Sequence, residues 1–335
     1  MKVACFSTKS YDKEGFDRLL PEYGHEFTYF ELKLDEKTVS LAIGFDAICS
    51  FVNDHLDETT LDKLAQMKIK NVVLRCAGYN QVDLKKAAEL GIRICRVPAY
   101  SPEAVAEHAV ALLLTLSRKT HKAYNRVREN NFSLEGLTGF NINGKTVGVI
   151  GTGAIGSAFC RIMKGFGCKI LAFDLFENKD LKNLGITYVS LEDLLKQSAI
   201  ISLHCPLTPE TQHLINGKTI SLMPEGVVLI NTSRGALIET KAVIRALKKR
   251  KIGYLGIDVY EQEEHIFFRN LSEEILMDEE IARLMTFPNV LITGHQAFLT
   301  KEALAQISKV TLENLNELGK GDLLTNEVKW RSETK

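Results

Sequence analysis

The chain has 335 residues, of which 45% are hydrophobic and 25% are charged. This length predicts about two domains, and the composition is that of a globular protein able to bury a core. Its 42 basic and 42 acidic residues cancel, which argues against a nucleic-acid partner or an anionic membrane surface. An anionic ligand would therefore have to be held by local groups.

Cysteine usage and the N-terminal residues indicate the compartment. The seven cysteines are scattered and never form a C-x-x-C pair, which predicts buried thiols in a reducing compartment and neither disulfides nor a zinc site. The first apolar run is soon interrupted by Lys9, Asp12 and Lys13, unlike a signal peptide, and no segment reaches membrane-spanning length. We therefore expect a cytoplasmic protein without a bound metal ion.

Short β-rich runs alternate with helical patterns in the first part of the chain. The strand-like runs are residues 3–6, 45–51, 72–75 and 92–97, and the helical patterns include residues 61–67 and 84–90. This alternation predicts a parallel α/β sheet. Pro98 and Pro102 then mark a domain boundary, and residues 104–116 form an apolar helix that is either buried or at an interface.

A second α/β series follows from Lys145. Its strand-like runs are residues 146–150, 170–173, 200–205, 227–231, 254–259 and 290–293, a set that suits a doubly wound sheet. Residues 264–287 resemble an added helical excursion whose exposed face, with Phe267 and Phe268, could join subunits. An amphipathic helix over residues 301–318 and a polar tail follow.

The start of this second series has the pattern of a dinucleotide-binding turn. A G-x-G-x-x-G sequence directly follows an apolar strand and opens a helix, through Gly151, Thr152, Gly153, Ala154, Ile155 and Gly156. Gly151 would permit the tight turn, Gly153 the approach of a pyrophosphate, and Gly156 the packing of helix on strand. A glycine-rich structural turn is the alternative for the motif taken alone.

An acidic residue supports the dinucleotide interpretation. Asp174 lies eighteen residues after Gly156, at the end of the next strand, where a carboxylate can accept hydrogen bonds from the adenosine ribose. The same carboxylate would repel a 2′-phosphate, so the sequence predicts NAD as the cofactor. Lys179 nearby leaves some use of NADP open.

Hydride transfer to a ketone also needs a proton donor and a group that binds the substrate. Arg234 and His295 each follow an apolar strand, so both would lie at the carboxyl edge of the sheet. The fork of Arg234 suits a carboxylate, and His295 could exchange a proton with the carbonyl oxygen. Glu263 could bind the other imidazole nitrogen and raise the histidine pKa. A surface ion pair, a structural histidine and a solvated acidic run are the alternatives for these three taken singly.

Taken together, these motifs resemble the D-specific 2-hydroxyacid dehydrogenases along essentially the whole chain. Arg234, Glu263 and His295 match the catalytic arginine, glutamate and histidine of that family in order. The resemblance implies two doubly wound parallel-sheet α/β domains with a cleft between them. A flavodoxin-like catalytic domain, residues 1–99 plus 299–335, would be interrupted by a Rossmann NAD-binding domain, residues 100–298.

The resemblance extends to further site residues. Ala77 and Gly78 match the loop whose backbone N–H groups meet the substrate carboxylate, and Tyr100 and Phe298 match an aromatic pair around a small methyl group. That pair resembles the one in the branch of the family that acts on pyruvate and lactate. Plain core packing is the alternative explanation for the two aromatic side chains. The matching cofactor contacts are Cys205, Pro206, Thr211, Thr232, Ser233, Arg234 and Asp258.

Some features leave alternatives open. Ala154 replaces a basic residue common in relatives, which would weaken the hold on pyrophosphate, and Ala199 replaces an aspartate, which would affect stability.

A sister enzyme for a bulkier 2-keto acid would share the catalytic residues, and an NAD(H)-sensing protein without catalysis could share the fold. The partner is otherwise a small 2-keto or 2-hydroxy acid, and the resemblance implies a homo-oligomer, either a dimer or a tetramer.

Overall fold

The computed structural model describes residues 1–321 and 323–330. The chain divides into two compact units, one made of Met1–Ser101 with the described residues from Leu299 onward, the other of Pro102–Phe298. The strands are β1 Lys2–Cys5, β2 Glu26–Tyr29, β3 Ala47–Ser50, β4 Asn71–Leu74, β5 Arg93–Arg96, β6 Thr146–Ile150, β7 Lys169–Phe173, β8 Thr187–Tyr188, β9 Ile200–Leu203, β10 Val227–Asn231, β11 Ile252–Ile257 and β12 Val290–Ile292.

Helices connect these strands in the α/β manner. They are α1 Ser10–Tyr23, α2 Glu58–Gln66, α3 Leu84–Glu89, α4 Pro102–Arg118, α5 Thr120–Arg128, α6 Ala154–Gly165, α7 Lys179–Asn183, α8 Leu191–Gln197, α9 Gly217–Leu222, α10 Thr240–Lys248, α11 Glu279–Met285 and α12 Lys301–Lys320. Short 3₁₀ turns occur at Val39–Ala42, Gly235–Leu237 and Glu263–His265.

The first unit is built on a five-stranded parallel sheet in the order β2-β1-β3-β4-β5. This is the flavodoxin-like order. The chain goes from β1 to β2 at one edge, then returns to β3 on the other side of β1 and continues through β4 to β5 at the opposite edge. Phe16 of α1 and Leu312 of α12 pack on one face, and Leu61 and Leu64 of α2 on the other. The sequence analysis did not predict β2, because its residues are short, half-buried and partly polar at a sheet edge.

The second unit has a seven-stranded parallel sheet in the order β12-β11-β10-β9-β6-β7-β8. The order reverses between β6 and β9, which is the position where open α/β sheets bind ligands beyond the carboxyl ends of the strands. The prediction of a flavodoxin-like sheet and a Rossmann-like sheet, both parallel and doubly wound, is confirmed. The two-residue strand β8 at the edge was not predicted.

Alternate side chains of the buried strands serve two separate cores. Along β10, Val227 and Leu229 pack toward α8, α9 and α10, whereas Val228 and Ile230 pack toward α4 and α6. A continuous apolar run is what a strand buried on both faces requires. The predicted apolar helix is α4, whose buried face packs on β10 and β11.

The prediction for residues 264–287 is wrong in two respects. Only α11 forms a helix after the 3₁₀ turn, and most of the segment consists of turns and irregular chain. Phe267 is 7% exposed and packs in the core with Ile281 and Leu284 of α11, so it presents no aromatic face outward. Phe267, Ile281 and Leu284 are therefore buried, whereas Ile275 and Met277 of the same segment are exposed.

Other expectations concern thiols, metals and membranes. All seven cysteines are buried thiols, and none of them forms a disulfide. Within residues 1–321 and 323–330, no group of three or more His, Cys, Asp or Glu side chains is arranged to hold a metal ion. Every helix in these ranges is too short or too polar to span a lipid bilayer.

A buried ion pair anchors the loop that follows β4 in the first unit. Arg75 is 1% exposed; its Nε lies 3.3 Å from Oδ1 of Asp12, and its Nη2 donates to the carbonyl of Ser7 at 2.8 Å. Its guanidinium also lies over the ring of Phe51, 4.6 Å from the centroid. Removal of one partner from such a pair leaves a charge buried without compensation.

We therefore expect Asp12→Ala to lower the free energy of unfolding of this unit by about 3 kcal/mol. Trp330 is the single tryptophan of the chain and belongs to the same unit, so its fluorescence during urea unfolding reports the effect. Asp17→Ala on the same helix, where the exposed carboxylate accepts a hydrogen bond from the hydroxyl of half-buried Tyr29, is the matched control. Equal loss of stability in both variants would contradict the role of the ion pair.

Candidate active site

The turn between β6 and α6 has the backbone geometry that its glycines predict. Gly151 has a φ of +91°, and a side chain on Gly156 would overlap the carbonyl oxygen of Gly151. At Gly153, by contrast, a Cβ would meet no atom within 4 Å, and both Gly153 and Ala154 are exposed. The first N–H groups of α6 are therefore accessible to a bulky anion, as pyrophosphate binding requires.

Asp174 lies beside this turn at the end of β7. Its Oδ2 accepts hydrogen bonds from the N–H of Thr152 at 2.5 Å and from the Thr152 hydroxyl at 3.0 Å. Oδ1 accepts the N–H of Phe176 at 3.0 Å. The carboxylate is half-buried, is fixed in orientation and keeps free lone pairs, which suits the binding of ribose hydroxyls.

The remaining predicted cofactor residues also follow strands of the seven-stranded sheet. The loop after β9 is closed by bonds from Ser233 Oγ to the Cys205 carbonyl, 2.6 Å, and from Thr211 Oγ1 to the Pro206 carbonyl, 2.7 Å. The hydroxyl of Thr232 is buried and has no hydrogen-bond partner among the described residues. A buried hydroxyl without a partner at the carboxyl edge of the sheet is consistent with a polar ligand at this edge.

His204, which precedes Cys205, is unsuited to proton transfer. Burial lowers the pKa of its imidazole to about 3. Its Nε2 bonds Ser202 Oγ at 2.8 Å, and its ring packs on Phe159 with centroids 4.9 Å apart. His204 is therefore neutral near pH 7 and acts as part of the packing.

Arg234 follows β10 in a loop that the backbone holds tightly. The amide of Asn231 spans this loop, with Nδ2 donating to the Arg234 carbonyl and Oδ1 accepting the Ser233 N–H. A side chain on Gly235 would overlap the backbone of Tyr260, so this loop lies directly against the segment that leads to Glu263. In the described part of the chain, the guanidinium of Arg234 has one hydrogen bond, from Nη1 to the Ser233 carbonyl at 2.7 Å.

His295 and Glu263 form the predicted pair. Nδ1 of His295 lies 2.8 Å from Oε1 of Glu263, and each side chain is 18% exposed. Oε2 of Glu263 accepts the N–H of Tyr260 at 2.9 Å, and the ring of Phe268 packs against the imidazole. Because a carboxylate only accepts hydrogen bonds, Nδ1 carries a proton, and Nε2 is the nitrogen left to exchange one.

The loop that carries His295 is held by Asp258, which follows β11. Asp258 is fully buried, and its carboxylate accepts the N–H of Gln296 at 2.9 Å, the N–H of Ala297 at 2.8 Å and the hydroxyl of Thr293 at 2.5 Å. Its carbonyl oxygen accepts the N–H of His295 at 2.7 Å. His295 itself has a φ of +56°, a conformation uncommon for residues other than glycine.

The environment of Asp258 keeps this carboxylate ionised. Burial raises its pKa, but hydrogen bonds from His108, Thr293 and the backbone N–H groups outweigh burial and leave the pKa below its ordinary value. Direct contact of Asp258 with the cofactor stays a prediction. The contacts give the side chain another task, since its oxygens bind the loop around His295.

The predicted substrate residues of the first unit lie in the loop after β4. The carbonyl of Ala77 accepts a bond from Arg96 Nη1 at 2.7 Å, and that of Gly78 one from Cys76 Sγ at 3.2 Å. The N–H groups of Ala77 and Gly78 have no partner among the described residues, as a carboxylate-binding loop would require. Tyr100 is half-buried in this unit, whereas Phe298 is buried at the end of the other, and their pairing stays a prediction.

Sequence reasoning missed two residues next to the predicted site. His108 of α4 and Thr293 both contact the Asp258 carboxylate. A histidine within an otherwise apolar helix was the one signal for His108, and it does not identify the partner, which is distant in sequence.

Comparison with known proteins supports the same assignment. Residues 110–297 match the family model of the D-isomer specific 2-hydroxyacid dehydrogenase NAD-binding domain. The D-lactate dehydrogenase of Escherichia coli K12 is 52% identical over 98% of this chain and 100% of its own length.

Solved structures agree along the whole chain. The apo-structure of Escherichia coli D-lactate dehydrogenase gives a TM-score of 0.90 at 51% identity, covering 98% of this chain and 100% of that one. A structure of D-2-hydroxyisocaproate dehydrogenase gives 0.85 at 33% identity, with the same coverage. The chain belongs to the D-isomer specific 2-hydroxyacid dehydrogenase family, and its seven-stranded unit is the NAD-binding domain.

Proposed function

We propose that this protein is an NAD-dependent D-lactate dehydrogenase, which reduces pyruvate to D-lactate and catalyses the reverse reaction. The observation that carries the proposal is the Glu263–His295 pair, 2.8 Å apart, on the carboxyl side of the NAD-binding sheet. The high identity with a D-lactate dehydrogenase over nearly the whole chain supports the choice of substrate.

The cofactor would be held by the turn at Gly151–Gly156, by Asp174 and by the loops after β9 and β10. NADH, when bound, supplies the hydride that the keto carbon receives. The carboxylate of Asp174 would accept the ribose hydroxyls and disfavour a 2′-phosphate, which supports NAD over NADP. With Ala154 in the turn, the N–H groups and dipole of the helix N-terminus would hold the pyrophosphate without a basic side chain at this position.

Side chains and backbone groups of the protein bind the substrate and transfer the proton. Arg234 binds the substrate carboxylate through its planar fork and polarises the adjacent carbonyl. In the first unit, the N–H groups of Ala77 and Gly78 suit a carboxylate, as the resemblance of their loop to the family implies. His295 donates the Nε2 proton to the carbonyl oxygen, and in the reverse direction Nε2 accepts the hydroxyl proton. Glu263 keeps Nδ1 protonated and stabilises the imidazolium.

The match of Tyr100 and Phe298 to the aromatic pair of the lactate-specific branch supports pyruvate, with its small methyl group, as the substrate. A preference for a bulkier 2-keto acid is the second candidate, favoured by the likeness to a D-2-hydroxyisocaproate dehydrogenase. Rates of NADH oxidation with pyruvate, 2-ketoisocaproate and phenylpyruvate test both, with NADPH as a second reductant. The fastest rate per active site with pyruvate and NADH supports the proposal, and a faster rate with either larger acid overturns it.

The setting of the enzyme follows from the same features. Seven buried thiols without a disulfide support a cytoplasmic location, since cytosolic proteins keep cysteines reduced. We also propose a homo-oligomer, a dimer or a tetramer, and sedimentation analysis tests this by giving the mass in solution. The apolar face of α4 packs in the core of the second unit, one of the two alternatives that the sequence leaves for this helix.

Replacement of His295 by Gln should lower kcat for pyruvate reduction by about 10² to 10⁴, because the proton donor is lost. Binding of NADH, measured by fluorescence titration, should stay unchanged. His121→Gln, at a half-buried histidine of α5, is the matched control and should keep the wild-type rate. Unchanged turnover in the His295 variant would remove this residue from the mechanism.

Replacement of Arg234 by Lys retains the positive charge but loses the bidentate fork. We expect KM for pyruvate to rise by about tenfold or more, with little change in KM for NADH. Arg245→Lys, at an exposed surface ion pair, serves as the control. An unchanged KM for pyruvate would argue against Arg234 as the carboxylate-binding residue.

Glu263→Gln should lower kcat for pyruvate reduction by about tenfold. The neutral amide is a weaker acceptor and can turn its NH₂ toward Nδ1, so the imidazole of His295 loses the partner that fixes its tautomer and orientation. Steady-state kinetics measure the loss, with exposed Glu273→Gln as the control. A kcat equal to that of the wild type would disprove the coupling.

A further inference from the structure

His108 extends from α4 toward the loop that carries His295. Its Nε2 lies 3.0 Å from the hydroxyl of Thr293 and 3.4 Å from Oδ1 of Asp258. The side chain is 17% exposed. All of these residues belong to the second unit.

The direction of the hydrogen bonds follows from the chemistry of the groups. The ionised carboxylate of Asp258 can only accept, so the hydroxyl of Thr293 donates to it at 2.5 Å. The Thr293 oxygen has then used its one proton and accepts from His108. Nε2 of His108 therefore carries hydrogen, and the order of donation is His108 to Thr293 to Asp258.

We call the hydrogen-bonded series His108–Thr293–Asp258 the relay. It holds residues on both sides of His295 in place. Thr293 precedes His295, and the N–H groups of Gln296 and Ala297, which follow it, donate to the two oxygens of the same carboxylate. The carbonyl of Asp258 holds the N–H of His295 itself. A left-handed φ at His295 persists only where the surroundings impose it, and these bonds impose it.

His108 is also the one basic side chain within ion-pair distance of Asp258 among the described residues. A fully buried carboxylate depends on donors that fix its orientation and offset its desolvation. Without the hydrogen bond from His108, the hydroxyl of Thr293 would be free to rotate, and Oδ1 of Asp258 would be held less firmly. Displacement of the His295 loop by even a fraction of an ångström is sufficient to slow a proton transfer.

We propose that His108 is a positioning residue for the reaction: through Thr293 and Asp258 it fixes the loop that aims Nε2 of His295 at the substrate oxygen. This inference rests on the proposed function of His295 as proton donor. His108 touches neither substrate nor cofactor in this role. Its effect should therefore be on turnover, with the affinity for NADH unchanged.

The test uses full-length enzyme and the 2-keto acid that the wild type reduces fastest, so a preference for a substrate other than pyruvate does not affect it. His108→Leu removes the donor, and Thr293→Val removes the hydroxyl at nearly constant shape. We expect kcat to fall about tenfold in each, with the Kd for NADH within about twofold of wild type. NADH titration counts active sites, so misfolded protein is excluded from kcat.

Two comparisons separate positioning from general stability. His108→Gln and Thr293→Ser retain a donor and a hydroxyl and should recover most of the lost kcat. The double variant of His108→Leu with Thr293→Val should be no slower than the slower single variant, because both act through one relay. Exposed Glu107→Gln on the same helix controls for changes to α4.

The contrary results are equally specific. A kcat within about twofold of wild type in both single variants overturns the proposal, as do losses that multiply in the double variant. Weaker NADH binding at unchanged kcat also overturns it and places the relay at the cofactor. A His295→Gln enzyme with wild-type turnover is a failure of the proposed function instead, and the two failures are measured on different variants.

Discussion

The buried carboxylate of Asp258 is the interaction on which the site depends. It directly follows β11, is fully buried, and connects the sheet to the segment from Thr293 to Ala297. His295 needs this connection because it lies in a loop beyond β12 and adopts a left-handed backbone conformation. Without a fixed anchor the imidazole would have no defined direction, and Glu263 alone would not supply one.

The parallel sheet explains why distant residues meet around this anchor. The carboxyl ends of β6, β9, β10, β11 and β12 lie along one edge, so every loop that follows them opens on the same side. Close backbone approach then links neighbouring loops, as at Gly151 against His204 and Cys205, and at Gly235 against Tyr260. Because glycine has no Cβ, Gly151 and Gly235 permit close backbone contacts that a larger residue would prevent.

Strong local patterns made much of this predictable from sequence. The glycine turn, Asp174 and the three strand-end residues Arg234, Glu263 and His295 depend on motifs that specify both backbone and chemistry. The edge strands β2 and β8 were missed because they are short and half-polar. The exposure of Phe267 was predicted wrongly, because the charged residues around it in the sequence indicate an exposed segment and do not show that its ring packs in the core. His108 bonds a residue 185 positions away, a separation that no local pattern encodes.

In the proposed reaction, pyruvate is reduced to D-lactate by a hydride from NADH and a proton from His295. Incubation of the enzyme with pyruvate and NADH, followed by chiral chromatography of the product, tests this most directly. D-lactate is expected in amounts equal to the NADH consumed. Formation of L-lactate, of a racemic mixture, or of no lactate would contradict the proposed reaction.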